Sequence, residues 1–377
     1  MIMNLIRLCR NCRNIEMESI IDAFNLRFTL VYLSVAFFAI ILINEYVNKS
    51  KNTDEIQNIL LLFYALVIIL VIGTRNKVVG TDSARTLIYF NGSRVIKSLS
   101  ELKDVGSYFI SLFARKLSDN YKVFFTINAV LYIAPIVIGI RNLTQKNRFL
   151  VFFLITSMFF FKTMGINTTK QGIAFSFFFL AITFYDKKKW LSIVFFIIAF
   201  FNHASIIIPI IIFLTSNVFK NLNIIFFIYV ASTVLSLIHF DLNTLLSNIP
   251  GVNILVQERL DGYYDKFAAR NYKTGFRVDF FIFNTIFAII GYYTLKNIKV
   301  LEEKLKYEKF YITYMLTSSF FFLMFSAAFS DRFGVLSWIF IPFLMYPYTQ
   351  TRSKIGFINL FGIFLICFFL FLIFNFK

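Results

Sequence analysis

The chain has 377 residues; 58% are hydrophobic, 53 are Phe, mean hydropathy is +0.73 and the formal charge is +18. A soluble domain of this size is less apolar and more evenly charged, so a soluble enzyme is excluded. The basic residues sit in loops between long apolar runs, where membrane topology and anionic lipid account for them, and no nucleic-acid partner is expected.

In chain order, a basic leader (1–27) comes first, with Arg7, Arg10, Arg13 and Arg27. Its Cys9-x-x-Cys12 pair has no second pair or His partner, which is too little for a metal or redox site. A single membrane domain, 28–377, follows. Its apolar segments lie near 28–46, 56–72, 123–140, 149–164, 173–185, 190–202, 204–219, 222–240, 278–295, 310–329, 333–348 and 355–376. Such runs predict helices, not the ten-residue alternating strands of a barrel. The expected fold is therefore all-α and polytopic, with about 12 transmembrane helices. The segments at 173–219 are short, and His203 and Pro209 interrupt them. Short or broken helices at membrane depth need protein or water around the freed backbone, and they often mark a site.

The short loops 141–148, 186–189, 296–309 and 352–354 are rich in Lys and Arg and are expected to be cytoplasmic. That leaves two longer outer loops, 73–122 and 241–277, and the connections at 162–172, 203 and 331–332. The same parity places the leader outside, against the rule.

The unusual polar residues fall on this outer face. Arg75, Asp82 and Arg85 follow the second segment; Lys170 and Gln171 open the fifth; His203 separates the sixth and seventh. Glu258, Arg259, Asp261, Lys266 and Arg270 lie in the later loop, and Asp331 and Arg332 interrupt an apolar stretch. Each has a plain structural reading. Arg75 and Lys170 can anchor helix ends, Asp82 can cap a helix, His203 can be an interfacial histidine, and Asp331–Arg332 can be a turn with its own ion pair. The functional reading rests on the expense of ionisable groups so closely flanked by apolar residues. The sequence has no H-E-x-x-H, G-x-S-x-G or P-loop, so metal catalysis and nucleotide hydrolysis are not expected. Arginines fork onto phosphate oxygens, and a helix N-terminus beside Lys170 adds its dipole. A lipid-linked phosphate or pyrophosphate suits both the charge and the apolar surroundings.

Arg75-x4-Gly80-Thr81-Asp82, then Lys170-Gln171-Gly172, then Phe201-Asn202-His203-Ala204-Ser205, in that order, resemble the EpsG-type branch of the Wzy polysaccharide polymerases. Tyr89 and Phe90 after the Gly-Thr-Asp fit the same pattern. Two positions depart from it: the family has Arg-Gln where this chain has Lys170-Gln171, and an aromatic sooner after Gly-Thr-Asp than Ser83-Ala84-Arg85 allow. The resemblance implies a multi-pass protein of the bacterial cytoplasmic membrane with a GT-C-like architecture and an outward-facing site. The implied activity is metal- and cofactor-independent polymerisation of undecaprenyl-pyrophosphate-linked oligosaccharide repeat units, as in O-antigen, capsule or exopolysaccharide synthesis. Implied partners are the lipid-linked oligosaccharide, membrane lipid, a chain-length regulator and a flippase. On this reading Arg75, Lys170, Arg259 and Arg332 bind pyrophosphate, and Asp82, His203 or Asp331 is the base. Gln171, Tyr89 and Glu258 contact substrate. Two rival classes stay open: a lipid-linked oligosaccharide flippase or other transporter, and a GT-C-type monosaccharide transferase. The first should bury charge along several spans and the second usually carries an acidic pair in its first outer loop.

Overall fold

The computed structural model describes residues 2–47, 53–92, 105–219, 221–240 and 274–350, with 361–362 and 365 in isolation. Among the described residues the chain is helical, without strands. The helices are α1 Ile2–Val47, α2 Asp54–Gly73, α3 Ser83–Phe90, α4 Val105–Leu117, α5 Tyr121–Leu143, α6 Arg148–Thr156, α7 Phe160–Ile166, α8 Thr169–Phe184 and α9 Lys189–Asn202. After a short 3₁₀ turn at Ala204–Ile206 come α10 Ile207–Thr215, α11 Leu222–Leu237, α12 Val278–Asn297, α13 Leu301–Leu323, α14 Asp331–Trp338 and α15 Ile341–Gln350. The apolar segment expected at 355–376, apart from 361–362 and 365, and the loop residues 241–273 lie outside the described residues.

Among the described residues four helices are long and apolar enough to cross a membrane: Glu16–Glu45 within α1, α2, α5 and α12. The α6–α7 pair makes a fifth if counted as one span, but it bends by 77°. Twelve complete spans are therefore not seen among the described residues. At the bend Thr156 and Ser157 return their hydroxyls to the carbonyls of Phe152 and Phe153 at 3.0 and 2.6 Å. Such back-bonding weakens the helix ladder slightly, and Tyr32 of α1 donates to Ser157 at 3.1 Å from outside. The eleventh segment also breaks, into α14 and α15. The first half of α13 carries Glu302, Glu303, Lys304, Lys306 and Glu308.

The chain divides into two compact units, Met1–Ile206 with Tyr348–Lys377, and Ile207–Pro347. Lipid is as apolar as Leu, so close packing and buried polar bonds must fix helix positions within each. In unit 1 a polar knot closes the lysine-rich end. Gln57 donates to Asn147 Oδ1 at 2.8 Å, Asn147 donates to the Thr349 carbonyl at 2.6 Å, and Arg148 donates to Asn58 at 2.7 Å. At the opposite end α3 and α4 dock their apolar faces on the first turn of α5, with Leu87, Phe90, Ala114, Phe124 and Phe125 buried together. In unit 2 the fully buried Asn284 ties α12 to α13 and α14. Its amide donates to Ser318 (3.0 Å) and Ser337 (3.2 Å), its side-chain oxygen accepts from Trp338 Nε1 (2.7 Å), and its carbonyl accepts from the Tyr314 hydroxyl (2.8 Å).

Candidate active site

At the α3–α4 end of unit 1, α2 stops at Gly73 and Thr74 caps it through bonds to the Leu70 carbonyl. Arg75 then turns inward and is 3% exposed. Its guanidinium donates to the Ile72 carbonyl at 2.8 Å and the Ile166 carbonyl at 3.4 Å, and stacks 3.8 Å from the centre of the Phe125 ring. One side chain thus ties α2, α7 and α5 together. Burial lowers its pKa to about 10, so the cation is disfavoured, though still formed at neutral pH. Among the described residues no carboxylate pairs with it, and its buried Nε has no acceptor.

The following turn packs on the end of α7. Gly80 has φ +98°, where a side chain is strained, and a Cβ there would lie 2.8 Å from both the Ile166 carbonyl and Asn167 Oδ1. Asp82 takes the expected N-cap position of α3. Its side chain makes no capping bond; its carbonyl accepts from the Thr86 amide and hydroxyl instead. Arg85 is exposed on α3.

α8 begins three residues beyond Ile166, and Gly172 lets it approach α7: a Cβ there would come within 2.6 Å of the Met164 carbonyl. Gln171 is buried on this helix, 4% exposed. Lys170, half-buried in the first turn, places Nζ 5.6 Å from the Tyr89 ring. Tyr89 meets Tyr108 of α4 edge-on at 6.0 Å. α8 and α9 form a hairpin across the turn at 185–188, so the N-terminus of α8 and the C-terminus of α9 share one end. There His203 caps α9, its amide donating to the Ala199 carbonyl at 3.1 Å. Its neighbour Asn202 is 5% exposed and lies against Gly106 of α4, where a Cβ would sit 2.9 Å from Oδ1. Arg75 and Gly80 thus meet the Ile166–Asn167 end of α7, Lys170 faces Tyr89, which meets Tyr108, and α4 reaches Asn202, next to His203, through Gly106.

In unit 2, Asp331 opens α14 and Arg332 lies 4.6 Å over the ring of Phe329, whose φ is +56°. Asp331 keeps exposed surface, yet desolvation by the surrounding protein raises its carboxyl above the ordinary range, with Arg332 and Arg277 pulling the other way. Arg277 itself pairs with Asp279 at 2.6 Å. Glu258 and Arg259 lie outside the described residues.

A family model described as the EpsG family matches residues 58–377. The chain belongs to the EpsG family. Comparisons with curated proteins and with solved structures give no match. EpsG-family membership and the apolar helices give a bacterial membrane protein with a polymerase-like, glycosyltransferase-like role in polysaccharide biosynthesis, on lipid-linked oligosaccharide in the membrane. The resemblance read from Gly-Thr-Asp, Lys-Gln-Gly and Asn-His-Ala-Ser is thus confirmed.

In this EpsG-family chain the sequence reading missed Tyr108 and Asn167, and it named Asn202 only within the motif around His203. Neutral polar and aromatic residues are too common for their type alone to single them out. It also missed the Arg277–Asp279 pair, although a charge pair just before an apolar run is the signal that drew attention to Asp331 and Arg332. Lys162, 9% exposed just past the α6–α7 bend and 5.8 Å from the Phe28 ring, is a further sheltered cation. The unit 1 arrangement supplies a reachable ammonium, a helix N-terminus, a buried guanidinium, an imidazole and two aromatic rings, a set suited to holding a phosphate beside a sugar.

Proposed function

We propose that this protein extends a surface polysaccharide by transferring the growing chain from its undecaprenyl pyrophosphate onto an incoming lipid-linked repeat unit, at the outer face of the cytoplasmic membrane. The observation that carries the reading is the convergence of Lys170, Tyr89, Tyr108 and His203 at one end of unit 1. An acceptor hydroxyl attacks the anomeric carbon of the growing chain. The bond from that carbon to the pyrophosphate oxygen breaks, and the lipid pyrophosphate leaves with the electron pair. Lys170 and the α8 N-terminus hold the departing pyrophosphate, where stabilisation counts most as charge develops. Lys170 acts as a point charge, not a fork. Arg75 adds a buried positive field behind them and holds the turn that carries Asp82. His203 or Asp82 takes the hydroxyl proton. Tyr89 and Gln171 contact the sugars.

Further roles rest on the sequence alone: Asp331 as an alternative base, Arg259 and Arg332 as pyrophosphate ligands, and Glu258 as a substrate contact. A chain-length regulator and a flippase are the partners such a reaction calls for. The test is to replace Lys170, His203 or Asp82 by Ala in cells that depend on this protein and run the polysaccharide on a gel. Loss of the polymer ladder, with the single repeat unit retained and normal protein levels, is expected for Lys170→Ala and for one of the other two. Wild-type ladders in all three would remove the site assignment.

A further inference from the structure

Unit 2 contains a cleft of about 720 Å³ between α11, α12 and α13 that the proposed chemistry does not use. Its volume falls within the roughly 300–1,000 Å³ of small-molecule pockets. The walls are apolar, from Ile225, Phe226, Ile289 and Met315. Its inner part holds a polar pair, Tyr229 and Thr285, whose hydroxyls are 3.0 Å apart. The mouth is charged. Lys296 and Lys304 sit there with Glu308, and the Lys296 ammonium lies 4.5 Å from the centre of the Tyr292 ring.

The depth of the cleft is informative. Thr285 and Lys296 lie on one helix, and the helical rise separates them by roughly 16 Å. That is about half of a hydrocarbon core of roughly 30 Å, so the cleft is one leaflet deep. It opens at the lysine-rich end of the α12–α13 hairpin, the end the charge rule assigns to the cytoplasm. Asp331 and Arg332 follow the far end of α13, so they belong to the opposite end of unit 2.

We propose that this cleft binds an anionic phospholipid with a hydroxylated headgroup. One acyl chain fills the apolar walls, the phosphate lies between Lys296 and Lys304, and Glu308 accepts from a headgroup hydroxyl. The two lysines against one glutamate favour a net anionic headgroup, and phosphatidylcholine has no hydroxyl or N–H to give Glu308.

The test uses the purified full-length protein, titrated with phosphatidylglycerol or phosphatidylcholine and read by native mass spectrometry for retained lipid. Wild type should retain phosphatidylglycerol about tenfold better. K296Q/K304Q, which alters two exposed side chains, should lose that preference while keeping its lipid-free unfolding temperature. Ile289→Trp, which fills the cleft from its exposed wall, should lose the retained lipid. Equal retention of the two lipids by wild type, or an unchanged preference in K296Q/K304Q, would overturn the proposal.

Discussion

At the residue scale, Arg75 and Lys170 are both cations beside apolar segments, but the fold treats them differently. Arg75 is buried, stacked on Phe125 and bonded to two backbone carbonyls; Lys170 is half-buried beside an aromatic pair. The lowering of the Arg75 pKa from 12.5 to about 10 corresponds to roughly 3 kcal/mol against its charged form. That cost is present below pH 10 and is relieved as pH rises from there toward 12.5; an anion bound nearby would also offset it. Arg75→Lys cannot reproduce the fork and the stack together. It should lower stability by about 2–3 kcal/mol, seen as a drop in unfolding temperature in detergent, whereas Lys170→Ala should unfold like wild type. Both charges were legible in the sequence, because an ionisable group set against apolar residues stands out. Burial was not, since it depends on Phe125, fifty positions away.

At the element scale, hydropathy located most helices but missed where they break. The segment expected at 149–164 is apolar but for Thr156, Ser157, Lys162 and Thr163, and it bends by 77° between Thr156 and Phe160, a break that mean hydropathy does not register. The outer loop at 73–122 was expected to hold one helix capped by Asp82; it holds two amphipathic helices, α3 and α4, docked on α5. Those helices bring Tyr89 and Tyr108 to Lys170, so much of the candidate site depends on a region that composition treats as loop. The α7–α8 junction places Lys170 in turn, and Gly172 is its closest point. Gly172→Val would force α8 away from the Met164 carbonyl at a cost of about 1–3 kcal/mol. The expected result is a folded protein that gives a shortened or absent ladder; a full ladder would mean that the junction does not position the site.

At the scale of the whole molecule, the charge rule predicts that the lysine-rich turns are cytoplasmic and the Gly-Thr-Asp turn lies outside. A cysteine replacing the exposed Thr81 should react with a membrane-impermeant maleimide in intact cells, and one replacing the exposed Lys188 only after lysis. The reverse pattern would invert the topology. Family membership was legible from three short motifs in order, and these stretches lie at one end of unit 1. Glu258 and Arg259 lie outside the described residues. The most direct measurement is reconstitution. Purified protein in liposomes is given an undecaprenyl-pyrophosphate-linked repeat unit, without metal or nucleotide, and the products are separated by size. Polymers longer than one repeat unit, with release of undecaprenyl pyrophosphate, are predicted for wild type and not for Lys170→Ala. A repeat unit that stays single with wild type, or that Lys170→Ala extends equally well, would contradict the account.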